Sequence, residues 1–471
     1  MGSIGKKLSK IKRKFTQSED EILFIVPQKE PMLFNAINMD INNKCNQRCR
    51  FCFSSFEDDS INMDLNTFSH MLDVIPFVKD YAGGGYGFYF SCIYEPSIHP
   101  LFLEFLEMLP IEAKKKCFFT TNLVRPMDKE FISSMLSANV GLINISIETF
   151  DADKFEYITK NKQFDSFKNN LLTLENVINE KEDIPEFRFI TMLLRENKDE
   201  IIDLIKYCHN HFPIESHEIR TPYISIYKNM EWNKNQLLSK DEADELIDQI
   251  NNLGYPVDID IKSVDDLQIL DNEKNTSLEN SREPDIYDEV RKKFAMVEDL
   301  EFLFLRINPD GTCIDKITNV PEQIDLSDSS KYFKDKLIEL YSYKAQVANC
   351  PSYDENNIIY SDAFILIDKL AENDVFIELT GWCCPDRKVN TDKLVIRLKG
   401  NNGDVHYYYT STKKRFDADA FKEKEEGWCG GFSTYIEKIN LKDNEYTVDF
   451  LYKTYSEETV CYSWENGIKL E

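Results

Sequence analysis

A chain of 471 residues, 42% hydrophobic and 13% aromatic, has the material for two or three folded domains. Its formal charge of −27 argues against an extended nucleic-acid backbone as a partner, because repulsion would act across most of the surface. Twelve scattered cysteines without a paired framework, no secretory leader and no apolar run of the ~18 residues a membrane span needs point to a reducing, cytoplasmic setting.

Residues 1–30 form a basic arm. Lys6, Lys7, Lys10, Lys12, Arg13 and Lys14 occur without an acid among them, and Ile4, Leu8, Ile11 and Phe15 recur at helical spacing. Such a segment can make weak contact with an anionic membrane surface, but a solvated arm is the simpler reading. Gly2 does not open an acylation signal, since Lys6 stands where that signal needs Ser or Thr. Alternation over 36–42 predicts a strand running into the loop K-C-N-Q-R-C-R-F-C-F, which carries Cys45, Cys49 and Cys52. Three thiolates this close can hold three irons of a 4Fe–4S cube and leave the fourth iron open. An open metal position is where metal chemistry takes place. Zinc and ordinary thiols are the alternatives, although zinc sites usually show paired C-x-x-C knuckles and a fourth ligand.

Downstream, strand and helix patterns alternate. Asp64 caps a helix with Phe68, Leu72 and Ile75 on one face, followed by a strand over 88–92 and a helix over 101–109. A strand over 116–120 leads to a helix over 131–136. The strand over 142–147 leads to a helix bearing Phe167, Leu171, Leu174 and Ile178. A fifth strand spans 187–193, Asn197 and Glu200 read as a capping box before Ile201, Leu204 and Ile205, and a sixth strand spans 218–224. Six β-α units imply a parallel sheet covered by helices. The glycines at 83, 84, 85 and 87 precede their strand, so they read as a flexible turn and not as a phosphate loop.

The stretch 232–300 is acidic and broken, a connector or partial lid, with a helix capped by Ser239 and Glu242 and closed by Gly254. The run 271–283 reads as an exposed loop. Asp310-Gly311 marks a hairpin turn. Beyond 360 short strands follow at high density, over 375–379, 393–398, 405–409, 432–436, 448–453 and 460–464, which predicts a β-sandwich. Trp382, Trp428 and the tyrosines at 407–409 can stack on sugar rings or fill the sandwich core, the second being the commoner role. Cys383, Cys384, Cys429 and Cys461 fit no metal spacing and read as buried thiols.

The C-x-x-x-C-x-x-C spacing and its setting after the first strand resemble the radical S-adenosylmethionine (SAM) superfamily. The resemblance implies an α/β fold: a partial (β/α)6 TIM barrel, a short α+β extension and a C-terminal antiparallel β-sandwich. The corresponding divisions are 1–30, 31–230, 231–358 and 359–471. It also implies one 4Fe–4S cluster on Cys45, Cys49 and Cys52, with SAM chelating the open iron. Reductive cleavage of SAM then gives a 5′-deoxyadenosyl radical that abstracts hydrogen from a substrate, with electrons from a flavodoxin- or ferredoxin-like donor. Phe51 stands where the superfamily commonly places an aromatic residue beside the adenine. The segment Ser91 to Pro100 resembles the G-x-G-E-P element: Glu95 and Pro96 match, Cys92 and Tyr94 replace glycines, and Glu95 becomes a candidate acceptor for the SAM ammonium group. Thr121-Asn122 resembles T-N-G with Leu123 for glycine, and Ser146 with Glu148 resembles S-I-D-G-x-D. Asn122, Ser146 and Glu148 are therefore candidates for the ribose or carboxylate of SAM, with strand-end capping as their ordinary alternative.

Residues 304–313 resemble the opening of a SPASM or twitch extension, but Cys313 comes too soon after Gly311, and no C-x-x-C follows before 360. The auxiliary cluster is expected to be lost, with Cys313 and Cys350 as buried thiols. Gly381-Trp382, the tyrosine run, Arg415-Phe416-Asp417-Ala418 and Gly431-Phe432 resemble an accessory β-sandwich of bacterial polysaccharide-biosynthesis proteins. The expectation is a radical SAM enzyme acting on a surface carbohydrate or its precursor. A peptide- or protein-modifying maturase and a non-catalytic cluster- or partner-binding relative are the alternatives.

Overall fold

The computed structural model describes residues 33–471 except 53, 55–58, 81–86, 92, 182, 223–229, 267–288, 290–291, 294–303, 316–317, 352, 354–357, 362, 373–374, 386–389, 415–429, 443–444, 455–457 and 470–471. The basic arm, the glycines at 83–85, Cys92, Ile224, the acidic run, Arg415 to Ala418, Trp428 and Cys429 lie outside the described residues, as do the side chains of Trp382 and Cys384. The chain divides into two compact units, one taking in Phe34–Ser281 and Phe304–Tyr332, the other Phe333–Glu471.

In the first unit six strands follow in order, β1 (Ala36–Met39), β2 (Gly87–Phe90), β3 (Cys117–Thr121), β4 (Leu142–Ser146), β5 (Glu186–Met192) and β6 (Ile214–Arg220), the first five where expected and the sixth ahead of the expected 218–224, overlapping it only at Glu218–Arg220. All pair in parallel in that order, with helices between them, as in an open partial TIM barrel. The sheet extends further than six units. β7 (Val257–Asp260) joins β6 in parallel, and β8 (Phe304–Ile307) joins β1 in parallel on the other side. β9 (Thr312–Asp315) folds back on β8 through Asp310-Gly311, and β10 (Glu322–Gln323) completes the sheet. Gly311 turns at φ +81°, and the Asp310 carboxylate accepts from Thr312 N at 3.0 Å, so the dipeptide closes the hairpin as its chemistry predicts.

The two faces of this sheet differ sharply. Met39, Phe90, Phe119, Ile143, Phe187, Phe189 and Ile219 are fully buried. They face the helices: Phe68 meets Phe90 edge-on at 5.8 Å, and Phe102 meets Phe119 edge-on at 5.4 Å. Each such ring contributes about 1.5–3 kcal/mol of burial. The intervening positions, Asn38, Tyr89, Thr120, Asn144, Arg188, Glu218 and Arg220, carry polar side chains toward the opposite face, because successive side chains of a strand alternate.

Helix termini follow local chemistry with one exception. Asp64 accepts from Thr67 N at 2.7 Å, and Ser239 with Glu242 forms a reciprocal capping box on Lys240–Asn251. The box expected at Asn197 and Glu200 is absent. Residues 198–200 form a 3-10 turn, and the buried Asn197 accepts from Leu194 N at 2.8 Å while donating to Glu148 O and Met192 O, each at 2.9 Å. Asn197 is thus spent on closing the strand-end loops, and Glu200 turns to Thr149 and Lys154.

In the second unit two sheets form. One has the order β11 (Asn349–Cys350), β16 (Val405–Tyr409), β15 (Asn390–Gly400), β19 (Glu445–Lys453), β20 (Thr459–Lys469), β12 (Ile358–Tyr360). The other has the order β13 (Ala363–Glu372), β14 (Phe376–Pro385), β18 (Gly430–Glu437), β17 (Ser411–Lys414). Pairing is antiparallel except between β12 and β20. Ile377, Leu379 and Phe432 of one sheet share a single buried cluster with Leu394, Ile396, Val448 and Phe450 of the other, and the rings of Phe432 and Phe450 lie 5.0 Å apart. Tyr408 and Tyr409 are buried in the unit and present no open ring face to a sugar, whereas Tyr407 is half-buried and stacks on Tyr353. On β15 and β19 a buried pair forms where strictly apolar alternation would not predict it: Arg397 donates twice to Asp449 Oδ2, at 2.9 and 2.7 Å, and Ser463 donates to Oδ1 at 2.6 Å. Cys313, Cys350, Cys383 and Cys461 are buried thiols that form no disulfide.

Candidate active site

The loop after β1 lies at the C-terminal ends of the parallel strands, where barrels of this kind place their chemistry. It is pinned from several directions. Asn42 accepts from Lys44 N at 2.9 Å and donates to Glu95 O at 3.0 Å. Asn43 bridges Asp59 O and Ile61 N, at 2.8 and 2.9 Å. Arg48 N and Arg50 N donate to Thr159 O and Ile158 O at 3.0 and 2.9 Å, while Asn161 donates to Asn46 O at 2.8 Å. Strand ends thus fix a loop that has no regular structure of its own.

Cys45, Cys49 and Cys52 are thiols of intermediate exposure on this loop and form no disulfide. Burial pushes the Cys45 thiol up to about 12, with the charge of Glu95 adding to it. Cys49 is raised well above the ordinary range, first by burial and then by Cys45. Thiols held this way keep their protons unless a metal displaces them, which is how metal binding couples to deprotonation. Among the described residues no three Cys, His, Asp or Glu side chains converge as ligands of one metal ion. Phe51 sits half-buried in the tight turn whose Cys52 N donates to Cys49 O at 3.1 Å.

Glu95 is 2% exposed and its carboxylate accepts from Ser97 N (3.1 Å), Thr121 Oγ1 (2.8 Å) and Asn122 N (2.7 Å). Burial raises its pKa and these donors oppose the rise. Asn122 donates through Nδ2 to Asn46 Oδ1 at 2.7 Å and toward Cys45 Sγ at 3.6 Å. Ser146 ends β4 half-buried, and Glu148 follows it with its carboxylate accepting from Met192 N at 2.8 Å. Burial pushes Glu148 up to about 8 against the opposing influences of Met192 N–H and Arg220. The charge of Glu148 adds to the rise at Cys49. Five of the residues singled out in the sequence, Cys45, Cys49, Cys52, Glu95 and Asn122, therefore share one hydrogen-bonded or electrostatic neighbourhood, with Glu148 beside it.

Sequence reading missed a polar ladder on the face of the sheet opposite the helices. Tyr89 Oη and Thr120 Oγ1 lie 2.6 Å apart, Asn144 donates to Thr120 Oγ1 at 3.3 Å, and Arg188 Nε donates to Asn144 Oδ1 at 2.9 Å. Glu218 then takes Arg188 at 3.3 Å and Arg220 at 3.0 Å. Just past β1, Asp40 is held by Arg306 of β8 through Nε and a second nitrogen, both at 2.8 Å. The available signal was a polar residue at alternate positions of otherwise apolar strands.

The first unit has the strand order of a partial TIM barrel, with the cysteine loop at the C-terminal ends of its parallel strands. The domain belongs to the radical SAM superfamily, whose family model matches residues 39–208. Members of that superfamily bind a 4Fe–4S cluster and SAM. The chain is similar to a GTP 3′,8-cyclase of Clostridium perfringens (strain SM101 / Type A), 27% identical over 182 residues, which cover 38% of this chain and 53% of the relative. It is also similar to the tungsten-containing aldehyde ferredoxin oxidoreductase cofactor-modifying protein of Pyrococcus furiosus, 30% identical over 117 residues, 23% of this chain and 30% of the relative. The chain thus spans about half the length of the first of these relatives or less. Among solved structures, the FeFe-hydrogenase maturase HydG of Carboxydothermus hydrogenoformans aligns over 68% of this chain and 79% of its own at 11% identity, with a TM-score of only 0.30. No described helix is long and apolar enough to cross a membrane.

Proposed function

We propose that this protein is a radical SAM enzyme that abstracts hydrogen from a polar, hydroxyl-rich substrate, a surface carbohydrate or its precursor. Cys45, Cys49 and Cys52 hold the cluster, and Phe51, Ser146 and Glu148 line the rim where SAM binds. Bound there, cluster and SAM supply the radical chemistry, with one electron per cleavage from a small flavodoxin- or ferredoxin-like donor. The chain's own part is to fix the loop, shield it from water and present the substrate.

The observation that carries the substrate class is the ladder Tyr89–Thr120–Asn144–Arg188–Glu218–Arg220. An apolar occupant would strip water from these groups without replacing it, at roughly 1–3 kcal/mol for each one left unsatisfied. A polyhydroxyl ligand supplies both donors and acceptors, and the half-buried Tyr89 offers an aromatic edge among them. Thermal melting of the cluster-loaded full chain with SAM, against sugar phosphates, amino sugars and short peptides, tests this reading. A rise in melting temperature with a saccharide is expected. A rise with peptides alone would overturn the carbohydrate assignment in favour of a peptide maturase.

A further inference from the structure

We infer that Asn122 is a positioning residue that tunes the reduction potential of the cluster, and that Glu95 is the strut that holds it there. Neither side chain is then a direct contact to SAM. The inference rests on the cluster reading above but adds a role that the resemblance did not assign.

The polar atoms of Asn122 are engaged inside the protein. Its Nδ2 carries two hydrogens, directed to Asn46 Oδ1 at 2.7 Å and Cys45 Sγ at 3.6 Å. Its Oδ1 accepts from Val124 N at 3.0 Å, and its backbone N donates to Glu95 Oε2 at 2.7 Å. A residue bound this way, 7% exposed, has little left for a ribose hydroxyl. What it does offer is a neutral N–H aimed at a thiol of the cluster loop. A donor on a ligating sulfur withdraws electron density and stabilises the reduced cluster, so it raises the potential.

Glu95 explains why Asn122 stays in place. Its two oxygens join the segment after β2, through Ser97 N, to the end of β3, through Thr121 Oγ1 and Asn122 N. Its own backbone is tied to the cysteine loop, since Glu95 N donates to Lys44 O at 3.0 Å and Glu95 O accepts from Asn42. The residue before it is held from the far side, with the Arg306 guanidinium 5.9 Å over the Tyr94 ring. A carboxylate has about four lone-pair sites, and three are taken here by donors of the chain itself. The bulk of Tyr94 and the loss of glycines around Glu95 fit a segment that braces the loop more than one that wraps a ligand.

The test is a redox titration, followed by electron paramagnetic resonance, of the SAM-free reconstituted cluster in the full chain. Asn122→Leu removes both donors at similar volume, and Asn122→Asp keeps the shape while removing the donors, which covers a Leu variant that does not fold. The expected result is a full iron count, a lower midpoint potential than wild type and unchanged SAM affinity. Loss of iron from an Asn122 variant that circular dichroism shows to be folded overturns the assignment, because the residue would then be needed to hold the cluster and not to tune it. A loaded variant with the wild-type potential overturns it, and so does loss of SAM affinity at an unchanged potential. A wild-type chain that takes up no iron would instead sink the cluster reading itself, so the two failures are distinguishable.

Discussion

Glu148→Gln separates burial from charge at the rim of the site. The Glu148 carboxyl is 8% exposed and burial pushes its pKa to about 8 in the folded chain, against an ordinary 4.5. The folded state therefore holds this proton more tightly than the unfolded state. Its contribution to stability is fully present below about pH 4.5 and is lost as pH rises through about 8. At 1.36 kcal/mol per pH unit, the interval from 4.5 to 8 corresponds to about 5 kcal/mol at the alkaline limit and about 3 kcal/mol at pH 7. Glutamine keeps an oxygen to accept from Met192 N and cannot ionise. Urea unfolding of the cluster-free protein should show the variant gaining on wild type by a small margin at pH 5 and by about 3–5 kcal/mol at pH 8. Parallel loss of stability in both proteins across that range would show that Glu148 is already ionised when folded, and the argument from burial would fail.

Asp449→Ala should destabilise the second unit by about 3–5 kcal/mol, because it leaves the buried Arg397 guanidinium without its carboxylate. The double change Arg397→Met with Asp449→Leu should restore most of that in the same urea assay, and a single variant with wild-type stability would refute the pairing. Ser239→Ala should cost about 1 kcal/mol by removing half of a capping box, measured by chemical denaturation of the full chain. Cys49→Ala should abolish loading of the cluster, whereas iron and sulfide retained at full stoichiometry would remove Cys49 from the ligand set. Asn144→Leu breaks the ladder between Thr120 and Arg188 and should weaken saccharide-dependent thermal stabilisation without changing iron content.

What was legible in the sequence was local. The strands, the cap at Asp64, the box at Ser239 and Glu242 and the turn at Asp310-Gly311 each depend on residues within a few positions of one another, and each formed. Asn197 misled because its cap signature is also local, while its actual partners include Glu148, 49 residues away. The place of β8 beside β1 was hidden for the same reason: its link from Arg306 to Asp40 spans 266 residues. The cysteine triplet announced itself by spacing, but the reason Asn122 reaches it lies in a carboxylate one strand earlier, at Glu95 after β2. The ladder was distributed one or two residues per strand over β2 to β6, so no window of sequence contained it. Its members become a set only when parallel pairing aligns the strands.

The most direct measurement is anaerobic. The full chain is reconstituted with iron and sulfide, given SAM and a strong one-electron reductant, and assayed for 5′-deoxyadenosine. A chain that loads a reducible 4Fe–4S cluster should form that product, and Cys49→Ala should form none. A full, reducible cluster that yields no 5′-deoxyadenosine would contradict the account and leave a cluster-binding protein without radical chemistry.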